Sequence, residues 1–91
     1  MRHAREDYNA RIVDLQEGIP EEEPVFVIRG QDVCAPETLD RYADLAEVVG
    51  AGPAFVSAVR AHADRMREWQ RTVARKVPDL PAAEDPDDDR E

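Results

Sequence analysis

One cysteine in 91 residues, Cys34, excludes an intrachain disulfide and a cysteine-rich zinc site. A lone thiol suits a reducing compartment. Nucleophiles are as scarce. Ser57 is the only serine, and Thr38 and Thr72 are the only threonines. Ser57 stands five residues before His62, off the same helical face, so no catalytic triad can be drawn. Neither a phosphate-binding glycine loop nor a nucleophile elbow is present. Histidines number two, and His3 sits in a charged N-terminal stretch. His62 has no second His, Cys or carboxylate at chelating spacing on its face, so it reads first as a packing or partner-facing residue. No cofactor and no enzymatic reaction are expected.

Long apolar runs are also missing. Nothing approaches the roughly 20 residues of a membrane span. The opening MRHAREDYNA lacks a following apolar segment, so it does not read as a secretory signal, and the expected location is the cytoplasm. Aromatics make up 5% of the chain: Tyr8, Phe26, Tyr42, Phe55 and Trp69. Hydrophobic residues are 42%, enough for one small core. A core of this size is marginal without staples or partners, so a homo-oligomer is expected.

The net charge of −9 is unevenly spread. From Pro78 onward, Asp79, Glu84, Asp85, Asp87, Asp88, Asp89 and Glu91 face Arg90 alone. Between Pro53 and Val77, Arg60, Arg65, Arg67, Arg71, Arg75 and Lys76 outnumber Asp64 and Glu68. An acidic chain lacks the broad basic footprint that long nucleic acid requires. A small anion at a local group of arginines remains compatible with it.

Along the chain, residues 1–7 are expected to be flexible and 8–77 to form a single domain. YNARIVDL alternates loosely and predicts a first strand. QEGIPEEEP is a polar loop; Glu21, Glu22 and Glu23 lie between prolines in water, where their pKa values cannot be tuned for catalysis. VFVIR predicts a second strand, apolar enough to be covered on both faces. Ala35-Pro36 opens a helix with Pro in its first turn and Leu39, Tyr42, Ala43, Ala46 and Val49 along one stripe. Gly50 closes it. Pro53 opens a second helix, predicted to run to Val77, about 37 Å long at ~1.5 Å per residue. Phe55, Val59, His62, Met66, Trp69 and Val73 recur at four and three along it, a narrow seam widened by Val56 and Ala63. Its C-terminal half overhangs the shorter helix, leaving either a second copy or the strands to cover it. Pro78, Pro81, Pro86 and the aspartates predict an unfolded acidic tail over 78–91. The fold class is therefore α+β: two short N-terminal strands, then a helical hairpin with a long C-terminal helix.

Two groupings can carry chemistry. Arg60, Arg67 and Arg71 fall near one face, either as an anion-binding strip or as a solvated face neutralised by Asp64 and Glu68. The strand end RGQD brings a guanidinium fork (Arg29), a backbone that permits close approach (Gly30), a donor–acceptor amide (Gln31) and a carboxylate (Asp32). Arg29 either faces a ligand or pairs with Asp32 in an ordinary turn.

The string IPEEEPVFVIRGQDVCAPETLDRYADLAEVVGA, with YNARIVD before it and ADRMREWQ after it, resembles a family of small proteins encoded in phages, prophages and other mobile elements. These share an IPxxEPVFxIRGQD core, a YNxRIxD-like segment and an ADRMxxWQ helix. The likeness spans most of residues 8–71. It implies a link to phage sponge proteins that sequester cyclic oligonucleotide signals of bacterial anti-phage immunity. On that resemblance the chain binds a small nucleotide-like anion without turning it over, in an oligomer with pockets between subunits. Arg29, Gln31 and Asp32 are then the pocket residues, helped by Arg60 and Arg67. The competing expectation is a protein–protein adaptor or structural component of a mobile element.

Overall fold

A computed structural model describes residues 1–80. The rest of the expected acidic tail, residues 81–91, lies outside the described residues. The chain is α+β: two short paired strands come first, and a helical hairpin follows, its second helix the longest element. It groups into two compact units that part between Val27 and Ile28.

In the N-terminal unit, β1 (Arg2–His3) pairs in parallel with β2 (Pro24–Val25). The Arg2 N–H donates to Glu23 O at 2.8 Å. Pro24 has no N–H to offer, which suits a strand with one unpaired edge. The stretch expected to be flexible therefore carries a strand, and the segment predicted as the first strand does not. Tyr8–Arg11 is instead a helical turn, α1. The Asn9 side chain and the Ile12 carbonyl, three residues apart in this segment, explain the correction. Asn9 Oδ1 accepts the His3 N–H at 2.9 Å, and His3 Nε2 meets Ile12 O at 2.8 Å. Tyr8 is buried edge-on against the His3 ring, with the Arg5 guanidinium 4.8 Å over it. An extended chain could not bring both Asn9 and Ile12 back to one histidine.

The second predicted strand is also shorter than expected. Pairing stops at Val25, and Phe26 is 72% exposed, so VFVIR is not a doubly covered strand.

The hairpin unit, Ile28–Pro78, is built from α2 (Ala35–Val48) and α3 (Pro53–Thr72). Each starts with Pro in its first turn. The turn between them is a Schellman motif: Ala51 N–H donates to Ala46 O at 2.9 Å and Gly50 N–H to Glu47 O at 3.1 Å. Gly50 holds φ +97°, a left-handed conformation that glycine adopts without a Cβ clash. Helix α3 stops at Thr72, five residues before the predicted end, and has 20 residues, about 30 Å at the standard rise.

The helices meet through small side chains. Ala43 and Ala63 are 0% exposed, and Val56, Ala46 and Met66 are buried beside them. The buried line on α3 is thus Met66 of the predicted seam with Val56 and Ala63, the two residues expected to widen it. Phe55 and Trp69 of that seam are about half exposed. No large side chain among the described residues is fully buried. Alanine at the crossing lets the helices approach closely but hides little apolar area.

The overhanging end of α3 has a partner within its own unit. The chain from Gly30 to Val33 lies against it. Gln70 Nε2 donates to Gly30 O at 2.9 Å and to Asp32 O at 2.6 Å. Beyond the helix, Lys76 N–H donates to Gln31 O at 2.7 Å, and Val33 N–H to Lys76 O at 3.0 Å, a single parallel bridge. No helix among the described residues is long and apolar enough to cross a membrane.

Candidate functional site

The RGQD loop is fixed at both ends by main-chain bonds. Asp32 N–H donates to Arg29 O at 3.0 Å, closing a turn. Asp32 Oδ1 accepts the Cys34 N–H at 2.7 Å, which orients the entry to α2. This carboxylate is therefore occupied by the backbone, and the Arg29–Asp32 pair does not form. Among the described residues, Arg29 makes no ion pair and stays exposed. With the Gly30 and Asp32 carbonyls held by Gln70, the loop is pinned, while the Arg29 and Gln31 side chains make no hydrogen bond among the described residues.

Between this loop and α3 lies an open groove of about 390 Å³. Ile28, Arg29, Gly30 and Gln31 form one wall, and His62, Arg65, Met66 and Trp69 form the other. The α3 residues recur at three, one and three along the helix, so they share one face. Met66 is the buried floor, and Trp69 presents part of its indole. Gly30 approaches this wall closely: a Cβ there would lie 3.7 Å from Met66 Cγ and 3.8 Å from Trp69 Cδ1. That is ordinary contact, so the site uses the nearness of the backbone but does not demand a glycine.

Charge sorts the arginines of this unit into two sets. Arg60 bonds Asp44 at 2.8 Å and Glu47 at 3.3 Å. Arg67 bonds Asp40 across the hairpin and Asp64 at 2.8 Å on its own helix. Arg41 and Arg71 pair with Glu37 and Glu68 one turn away. The Asp44 hydrogen bond first, and then that of Glu47, holds the Arg60 proton more tightly than usual; Asp40 does the same for Arg67. Arg60 and Arg67, both expected at the ligand, thus lie on the other side of the hairpin as links between α2 and α3. Arg65 has no carboxylate among the described residues; its Nη1 lies 3.4 Å from His62 Nδ1. The groove therefore receives two guanidinium groups, Arg29 and Arg65, whose charge no carboxylate among the described residues answers.

Of the five expected site residues, the structure brings Arg29 and Gln31 together, gives Asp32 a positioning role, and places Arg60 and Arg67 elsewhere. Sequence reasoning missed Arg65 and treated His62, Met66 and Trp69 as packing residues. Sequence spacing gave no signal for this, because Glu68 stands three residues after Arg65 and pairs with Arg71 instead.

The arrangement can hold an anion that also carries a flat apolar group. Two guanidiniums supply forked donors, Gln31 supplies a donor and an acceptor, and the indole supplies a stacking surface. Among the described residues, no group of three His, Cys, Asp or Glu side chains could hold a metal ion. A second groove of about 450 Å³, in the N-terminal unit, is lined by Arg2, His3, Ala4, Pro24, Val25 and Phe26. Its His3 turns Nε2 to the Ile12 carbonyl and leaves Nδ1 buried without a hydrogen-bond partner among the described residues.

No family model, no curated protein and no solved structure matches this chain.

Proposed function

We propose that the chain is a non-enzymatic binder of a small nucleotide-like anion, held in the groove between the RGQD loop and α3. One observation carries this reading. Among the described residues the two groove arginines have no carboxylate partners, while four neighbouring arginines do, and both line a groove with the chain's single tryptophan. In this reading Arg29 and Arg65 take the phosphate, Trp69 stacks on the base, and Gln31 reads a base edge. Neutralising paired arginines would release little to a ligand; unpaired ones give their full field. A cyclic oligonucleotide signal, sequestered in a host cytoplasm by a protein of phage or mobile-element origin, is the specific form of the proposal. Support for that form comes from the RGQD-centred sequence resemblance.

Calorimetry against mononucleotides and a panel of cyclic dinucleotides tests the reading. Saturable heat is expected, lost in Arg29→Ala and in Arg65→Ala and kept in Arg60→Ala. No heat with any nucleotide at millimolar concentration rejects it.

A second reading, a protein–protein adaptor, draws on the apolar side chains that the hairpin leaves outside. Stoichiometric recovery of one host protein, abolished by deleting residues 78–91, favours that reading over the first.

A further inference from the structure

The helical hairpin has two unlike sides. At about 100° per residue, Asp40, Asp44 and Glu47 of α2 fall together, and they meet Arg60 and Arg67 of α3. The opposite side is apolar. Tyr42 and Leu45 of α2, with Val49 capping its C-terminal end, fall on one helical side, and the Tyr42 ring meets that of Phe55 of α3 edge-on at 6.1 Å. These four side chains are 52%, 65%, 82% and 47% exposed.

We propose that this side is covered by a second copy of the chain, each hairpin supplying half of a four-helix bundle. The width of the apolar stripes is the first argument. On each helix they span roughly 150°, wider than the ~100° face that a helix needs against one neighbouring layer. Ala43 and Ala46 on α2, with Val56 and Ala63 on α3, occupy only the edge nearest the ion pairs. The far edge is patterned for a second neighbour, as in bundles where every helix touches two others. The second argument is charge. The chain carries −9, yet Tyr42, Leu45, Val49, Phe55 and Ala58 add no formal charge at neutral pH, and the next side chain along this face of α3 is His62. Two strongly acidic chains can meet here without opposing like charges, which an isologous interface requires. The third is area. Two half-exposed rings and two mostly exposed aliphatic side chains make an apolar centre of a few hundred Å². That matches the dry centre of a standard interface of about 800 Å² per partner. Residues 81–91, rich in Asp and Pro, have the wrong chemistry for this face.

The inference stands apart from ligand binding: a single-chain protein that still binds nucleotide overturns this proposal and leaves the other intact. The test uses the full chain. Light scattering is expected to give a mass of two chains or a multiple of two. Melting temperature should rise over a roughly hundredfold range of protein concentration, since pairing stabilises only the folded form. Leu45→Glu with Val49→Glu is expected to yield a single-chain mass, and Ser57→Glu, on the outward face, to leave the mass unchanged. If the double variant does not fold, the concentration dependence of the unaltered protein decides. A single-chain mass with a concentration-independent melting temperature overturns the proposal. So does an assembly that survives the double variant.

Discussion

Replacing Gln70 by alanine removes one side chain that holds two carbonyls. Its Nε2 donates to Gly30 O and Asp32 O, at 2.9 and 2.6 Å, across 40 and 38 residues of sequence. Each neutral hydrogen bond contributes about 0.5–1.5 kcal/mol net, so complete loss is worth about 1–3 kcal/mol. Gly30 and Asp32 are half-buried rather than sealed, and water reaches the orphaned carbonyls in part. The lower half of that range, about 1–2 kcal/mol, is the expectation. In a domain of this size such a loss lowers the melting temperature by about 5–15 °C. Gln70→Glu should be worse, because it sets a carboxylate against two carbonyl oxygens with no donor between them. The assay is thermal unfolding by circular dichroism, read beside the emission of Trp69. Gly30 stands against that indole, so release of the loop should shift the emission to the red. A melting temperature within about 1 °C of the parent, with unchanged emission, would refute the claim that Gln70 pins the loop.

Further outcomes follow from the same geometry. Gly30→Ala should be nearly neutral in a thermal melt, because its Cβ enters ordinary contact with Met66 and Trp69, whereas Gly50→Ala at φ +97° should cost about 1 kcal/mol. Asp32→Ala should lower stability by about 0.5–2 kcal/mol by orphaning the Cys34 N–H, measured in a urea titration, with Asp32→Asn recovering most of it. Acid should loosen the N-terminal unit. Arg5 holds the Asp7 carboxyl below its usual range, and the Ile19 N–H does the same for Asp14. Groups with lowered folded pKa values stabilise above the unfolded value of about 3.9 and lose that contribution as pH falls through the folded value. Protection of the Ile19 amide, its exchange rate taken relative to the intrinsic rate at each pH, should therefore fall below about pH 4 and recover on return to neutrality.

The hairpin was legible because its signals are local: Pro36 and Pro53 at the starts, Gly50 at the turn, and stripes of period three and four between them. The N-terminal strands were not, because their signals are distant. The His3–Asn9 and His3–Ile12 bonds select a helical turn for Tyr8–Arg11, and the partner of Arg2–His3 lies more than 20 residues away. Alternation in YNARIVDL carries no trace of either. The site was half legible. RGQD announced Arg29 and Gln31 by composition. Which helix arginines join them depends on which meet an acid on the facing helix, and the Arg60–Asp44 and Arg67–Asp40 pairings span 16 and 27 residues. Ala43 and Ala63 were named among the apolar positions, but their place at the centre of the crossing, with Phe55 and Trp69 left half exposed, depends on how closely the two helices approach.

Trp69 is the chain's only tryptophan, and it lines the groove, so its fluorescence reports on that groove alone. Titrating the intact protein with a cyclic dinucleotide, and separately with a mononucleotide, tests the binding claim most directly. Saturable quenching is predicted, weakened by added salt, abolished by Arg29→Ala with Arg65→Ala and retained by Arg60→Ala with Arg67→Ala. Emission that ignores every nucleotide, or quenching lost equally with either arginine pair, would contradict it.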